Sequence, residues 1–221
     1  MLVSSRSLFA AVLLTVSVAR GARAQDPSAL TPGTRFIGAW VGYSPYSPAA
    51  SHLGATPGRQ LGLAAIRLQW VLESAGPFAL SATADLIPLA VVTHNPTYRT
   101  VDVLRPDGSI ATIKTETGES PVFGAGFAPF GLQLAFARIG NARVFGAGAV
   151  GALRFTRDTP VPDSRPINVT FEYGGGVELA RGDGGALVLG YKFHHLSNAY
   201  SAPKNPGLDG NVIYLGLLHR R

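Results

Sequence analysis

Three residues near the end of the chain have the types and spacing of an activated alcohol nucleophile. His195 and Ser197 stand one residue apart in the stretch FHHLSNAYSAPKNPGLDGN (193–211), and Asp209 follows beyond a turn-rich segment. In an extended strand, alternate residues lie on one face about 6.5–7 Å apart, a gap that an imidazole ring can bridge to a hydroxyl. A histidine that takes the hydroxyl proton activates the serine as a nucleophile. A carboxylate is the group that orients such an imidazole and stabilises its charged form. The bland alternatives are polar residues at a strand end and, for Asp209, an aspartate opening an Asp-Gly turn with Gly210.

The face on which these residues sit follows from parity. Leu187, Leu189, Tyr191, Phe193, His195 and Ser197 share one face; Ala186, Val188, Gly190, Lys192, His194 and Leu196 share the other. The first row is the apolar one, and His195 and Ser197 continue it. Asp209 has the parity of Ile213, Leu215 and Leu217, again the apolar face. A hairpin centred on Pro203 would place Ser197 opposite Asp209 and His195 opposite Asn211, although a bulge would shift that register. His194, beside His195, points to the opposite face, so the two cannot readily chelate one ion, and no metal site is expected.

The same alternation recurs along the chain. Asn168, Thr170, Glu172 and Glu178 oppose Val169, Phe171, Tyr173 and Leu179; Arg67 and Gln69 oppose Ile66, Leu68, Trp70 and Leu72; Ser81, Thr83 and Asp85 oppose Phe78, Leu80 and Leu86. Phe130, Leu132, Leu134 and Phe136 share a face, and Phe145, Leu153 and Phe155 oppose a row of glycines and Arg154. Strands are expected near 35–44, 60–73, 77–92, 121–137, 142–156, 168–181, 185–197 and 211–219. The links alternate long and short: 45–59, 74–76, 93–120, 138–141, 157–167, 182–184 and 198–210. Short turns at one end and longer loops at the other mark a barrel that crosses an outer membrane. The expected fold is therefore all-β, an eight-stranded antiparallel up-and-down transmembrane β-barrel. A soluble lipocalin-type barrel has the same strand count, with the apolar face inward.

Composition agrees with a membrane barrel. Charged residues make up 14% of the 221, glycines number 27 and cysteine is absent. A soluble domain normally carries more charge. Arg6, the apolar run LFAAVLLTVSV and the small residues Ala22 and Ala24 have the layout of a secretory signal peptide, so residues 1–24 are expected to be removed and residues 25–221 to form the barrel. That removal takes away Arg6, Arg20 and Arg23 and no acid, lowering the net charge from +6 to +3 and removing most of the support for nucleic-acid binding. Arg67, Arg154, Glu172 and Glu178 are assigned to the lumen, and Trp40, Trp70, Tyr43, Tyr191 and Tyr200 to interfacial aromatic belts.

One family resemblance emerges from the final hairpin. His195-Leu196-Ser197-Asn198, followed by Asn205-Pro206-Gly207 and the closing strand VIYLGL, resembles the lipid A 3-O-deacylase (PagL) family. Members of that family are eight-stranded outer-membrane barrels that remove an acyl chain from the lipid A of lipopolysaccharide without a metal. The resemblance implies Ser197 as nucleophile, His195 as general base and Asn198 as a helper near the oxyanion. It also implies that Asp209 stands where the family has a glutamate, one methylene longer. Lipid A in the outer leaflet is the implied partner, the bacterial outer membrane the implied location, and no cofactor is required. Lys192, Lys204 and Arg99 are candidate contacts for lipid phosphates, or ordinary surface charge. Homodimer formation is left open. So are two rivals: a barrel without hydrolytic activity that adheres through the 93–120 link, and a deacylase-like barrel left inactive by the shorter Asp209.

Overall fold

The computed structural model describes residues 30–48, 53–182 and 184–221. The expected signal peptide, residues 1–24, lies outside them. Eight strands follow one another: β1 (Arg35–Ser44), β2 (Gln60–Ala75), β3 (Phe78–Leu104), β4 (Ile110–Ile139), β5 (Ala142–Thr159), β6 (Arg165–Ala180), β7 (Ala186–Ser197) and β8 (Leu208–Arg220). Each pairs antiparallel with the next, and β1 pairs with β8 from Phe36↔Arg220 to Tyr43↔Ile213, closing the barrel. Closure satisfies the backbone of every strand without an open edge, a necessity wherever no water is available.

The outer wall is apolar. Ile66, Leu68, Leu72, Leu86, Phe127, Leu132, Leu189, Leu215 and Leu217 all point out and are exposed, and Phe130 is 74% exposed. Their inward neighbours are polar and paired. Arg67 donates through Nε and Nη2 to Asp85 at 2.8 and 2.7 Å, and Trp40 Nε1 donates to the same carboxylate at 3.1 Å. Lys192 Nζ reaches both oxygens of Glu172 at 2.9 and 3.0 Å, and it lies 3.7 Å from the centre of the Trp40 ring. Gln133 and Arg143 share Glu178 in the same way. Charges taken out of bulk water in this manner are tolerable only when paired and hydrogen-bonded. A polar interior behind an apolar exterior is the reverse of the lipocalin arrangement.

Four expectations are corrected by the packing. The interior is not polar throughout: Leu61, Ile87, Val92, Val122, Leu153, Phe155, Leu196 and Leu208 are buried together at the loop end. That apolar layer claims Leu153 and Phe155, and Phe145 is likewise buried, so these three residues of β5 face inward and Arg154 faces out. Trp40 is buried in the lumen, where its N–H finds Asp85, and not in an interfacial belt. Finally, the segment 93–120 is mostly strand. β3 and β4 stay paired from Asn95↔Ser120 to Leu104↔Ile110, forming a hairpin with exposed side chains that extends beyond the barrel wall.

The Arg67–Asp85–Trp40 cluster gives a direct test of the interior. Asp85→Ala leaves a guanidinium and an indole N–H without their acceptor, and the expected loss is about 3–5 kcal/mol. The exposed Asp102→Ala in the hairpin is expected to cost no more than about 0.5 kcal/mol. Urea midpoints of the two variants in detergent micelles should differ accordingly, and equal midpoints would contradict the assignment.

Candidate active site

β7 delivers His195 and Ser197 to the outward row because Leu196, between them, is anchored inward. Leu196 pairs with Leu208 across the hairpin, and both are fully buried in the apolar layer. That anchor also sets the register. His195 stands directly opposite Asp209, and Phe193 opposite Asn211, so the hairpin closes one residue nearer Ser197 than an arrangement centred on Pro203. The partners move by two positions, which preserves parity, so all three polar residues keep the parity of the outward row.

The pairing brings acid and base together. His195 Nδ1 and Asp209 Oδ1 are 2.5 Å apart. A hydrogen bond on Nδ1 leaves Nε2 as the free ring nitrogen. The other carboxylate oxygen is held from across the barrel mouth: the Gly54 amide donates to Asp209 Oδ2 at 2.9 Å. As a result Asp209 is only 1% exposed although it belongs to the outward row. Ser197, half-buried, lies two residues along that row from His195; its hydroxyl makes no hydrogen bond among the described residues. Nucleophile-to-base bonds are commonly long before a substrate is bound.

Gly54 belongs to the loop joining β1 to β2, which folds over the last loop. Ala55 N donates to Pro206 O at 2.7 Å, Thr56 Oγ1 donates to Gly207 O, and Ser47 Oγ donates to Thr56 O at 2.5 Å. The contact is tight enough to require glycine twice. A Cβ on Gly54 would sit 2.8 Å from the Asp209 carboxyl carbon and from Oδ1. A Cβ on Gly207, whose φ is +65°, would sit 2.8 Å from His195 Cε1. At the base of this assembly Ser44 Oγ accepts the Asn211 amide at 2.9 Å.

Asn198 organises the last loop. Its backbone amide donates to Asn205 Oδ1 at 2.9 Å and its Nδ2 to Lys204 O at 2.7 Å. Its carbonyl accepts both the amide and the hydroxyl of Ser201, at 3.0 and 2.7 Å, around a turn that puts Ala199 and Tyr200 at φ of 51° and 60°. One Nδ2 hydrogen remains uncommitted by these bonds. His194 and Lys192 point into the lumen, both onto Glu172, so Lys192 is no surface contact; Lys204 and Arg99 are exposed. Sequence reasoning missed Ser47, Gly54 and Thr56, and read Gly207 only as part of the Asn205-Pro206-Gly207 turn. Gly54 and Asp209 are 155 positions apart, so no local signal could have linked them.

A polar row that opens laterally onto an apolar wall can act on a substrate lying in the membrane. Phe171 is the cross-strand neighbour of His195 on β6, and Tyr173 that of Phe193, with ring centres 5.3 Å apart in the second pair. These aromatics flank the polar group, and the cross-strand pair Leu189 and Leu215 continues the exposed apolar surface further along the same wall.

A family model described as lipid A 3-O-deacylase (PagL) matches residues 97–217, more than half of the chain. Among solved structures, the crystal structure of the outer membrane enzyme PagL is 16% identical with a TM-score of 0.47, covering 82% of this chain and 97% of its own. The solid-state NMR structure of outer membrane protein AlkL is 11% identical (TM-score 0.37; 92% and 97% covered), and the backbone structure of the Yersinia pestis outer membrane protein Ail is 14% identical (0.33; 86% and 99%). A search of curated proteins gave no match.

The clamp on Asp209 is testable without any substrate. A strongly hydrogen-bonded histidine N–H gives a far-downfield proton resonance, expected in the wild-type barrel and absent in Asp209→Asn. Gly54→Ala should displace the carboxylate and move or remove the same signal. An unchanged resonance in Gly54→Ala would show that the first loop does not set the acid's position.

Proposed function

Because the chain belongs to the lipid A 3-O-deacylase (PagL) family, we propose that it is an outer-membrane esterase that removes an ester-linked acyl chain from lipid A. The observation that carries this reading is the His195–Asp209 pair, joined at 2.5 Å on the hydrocarbon-facing row that also holds Ser197.

In this reading Ser197 Oγ attacks the ester carbonyl while His195 Nε2 takes its proton. Asp209 keeps the Nδ1–H directed toward itself and stabilises the imidazolium that forms. The tetrahedral intermediate collapses when His195 returns the proton to the sugar oxygen, which leaves as an alcohol. The acyl group stays on Ser197. A water molecule, deprotonated by His195, then releases the fatty acid and restores the serine. The uncommitted Nδ2 hydrogen of Asn198 is the proposed donor to the oxyanion, as oxyanion holes require. The acyl chain lies along Phe193, Leu189 and Leu215, so the substrate enters sideways from the outer leaflet.

The shorter acid fits this barrel. Direct pairing opposite His195 and the amide of Gly54 bring the Asp209 carboxylate within reach that a glutamate supplies by length. Asp209→Glu is therefore expected to push the carboxylate off both partners and to lower turnover about 10- to 100-fold, the usual penalty for misplacing a catalytic group by about 1 Å. A sharp rise in activity would instead support a barrel disabled by its aspartate.

The main test is direct. The mature protein, refolded in detergent and incubated with purified lipopolysaccharide, is expected to release one hydroxyacyl chain, seen as a single mass loss from lipid A. Ser197→Ala, folded to the same heat-modifiable barrel, should leave lipid A intact. Unchanged lipid A with the wild-type barrel would overturn the proposal.

A further inference from the structure

Beside the triad, the mouth of the barrel holds a cavity of about 560 Å³ between three separate segments. Tyr98 and Lys114 come from the β3–β4 hairpin, Val161 and Pro162 from the link after β5, and Lys204 and Asn205 from the last loop. That volume lies within the range of small-molecule sites. Two ammonium groups line it, and both lean on the single carboxylate of Asp163: Lys114 hydrogen-bonds it, and Lys204 approaches to 3.4 Å. All three side chains are exposed, between 41% and 58%. Exposed ion pairs of this kind contribute little to stability, so holding the barrel together does not explain why cations from distant segments converge here. The bond from Lys114, and after it the one from Lys204, holds the Asp163 carboxyl below its usual range and therefore ionised. The charged side chains that line the cavity itself are the two ammoniums of Lys114 and Lys204.

The cavity is tied to the nucleophile through the last loop. Asn198, next to Ser197, fixes the loop through the Lys204 carbonyl and through the Asn205 side chain, and these two residues line one side of the cavity. A ligand seated here is thus held at a fixed offset from the outward row. Compact anions with several acceptor oxygens suit paired ammoniums flanked by a tyrosine and an asparagine.

We infer that this cavity is a phosphate-monoester subsite, with Lys114 and Lys204 as its cationic arms, that seats the phosphorylated headgroup of the lipid whose acyl chain faces the triad. The identity of the attached lipid rests on the proposed deacylase reading; the phosphate recognition does not.

The experiment separates the two. Binding is measured by fluorescence in detergent micelles on the Ser197→Ala barrel, with intact lipid A and with lipid A stripped of its phosphates by a phosphatase. The intact lipid is expected to bind about tenfold more tightly, as charge pairing at a cavity rim allows. Lys114→Gln with Lys204→Gln should bring that ratio close to one, whereas Lys114→Arg with Lys204→Arg should preserve it, since guanidinium groups also bind phosphate. Competition by inorganic phosphate at matching concentration would identify free phosphate as sufficient for the site; weak competition would identify the headgroup. Equal binding of both lipids, or a ratio untouched by the double glutamine variant, would overturn the subsite. Phosphate-dependent binding without acyl release by the wild-type protein would keep the subsite and remove the esterase.

Discussion

A buried carboxylate must have its oxygens occupied, and the site depends on how Asp209 meets that demand. One oxygen takes the His195 imidazole and the other takes the Gly54 amide. Neither partner is near Asp209 in the chain. The first comes from pairing β7 with β8, the second from folding the loop after β1 over the loop after β7. Burying a charge without such partners costs several kcal/mol, so the acid, the base and the covering loop are expected to be ordered together or not at all.

The rest of the barrel can be understood as support for that arrangement. Strand alternation sends polar residues inward, where Arg67–Asp85, Lys192–Glu172 and Arg143–Glu178 neutralise one another. It sends apolar residues outward. At the loop end the interior changes character: an apolar layer receives Leu196 and Leu208 and thereby fixes the register that places His195 against Asp209. Glycine at positions 54 and 207 lets two loops approach the acid and the base more closely than any side chain would permit.

Much of this was legible in the sequence, and the reasons for the rest are specific. Period-2 alternation revealed the eight strands and the outward row of His195 and Ser197, because hydrocarbon outside and polar pairs inside impose opposite demands on neighbouring residues. Parity survived an error in register, since the hairpin shifted its pairing by two positions. The register itself depended on the inward Leu196–Leu208 pair, which turn residues do not encode. β5 inverted because its Phe145, Leu153 and Phe155 serve the interior. Trp40 was drawn inside by Asp85, an interaction between β1 and β3. The hairpin beyond the membrane looked like a loop because water on both faces removes the alternation that marks a strand. The clamp from Gly54 joins opposite ends of the chain, and only the closed barrel brings them together.

The central claim is that Ser197 is a nucleophile activated by His195 on the lipid-facing wall. The most direct measurement is covalent capture by a long-chain alkyl fluorophosphonate, followed by mass mapping of the modified peptide. The account predicts one adduct, on Ser197, formed rapidly in the wild-type barrel and at least 100-fold more slowly in His195→Ala, in line with the loss of a general base. No adduct at Ser197, or labelling that proceeds equally well without His195, would contradict it.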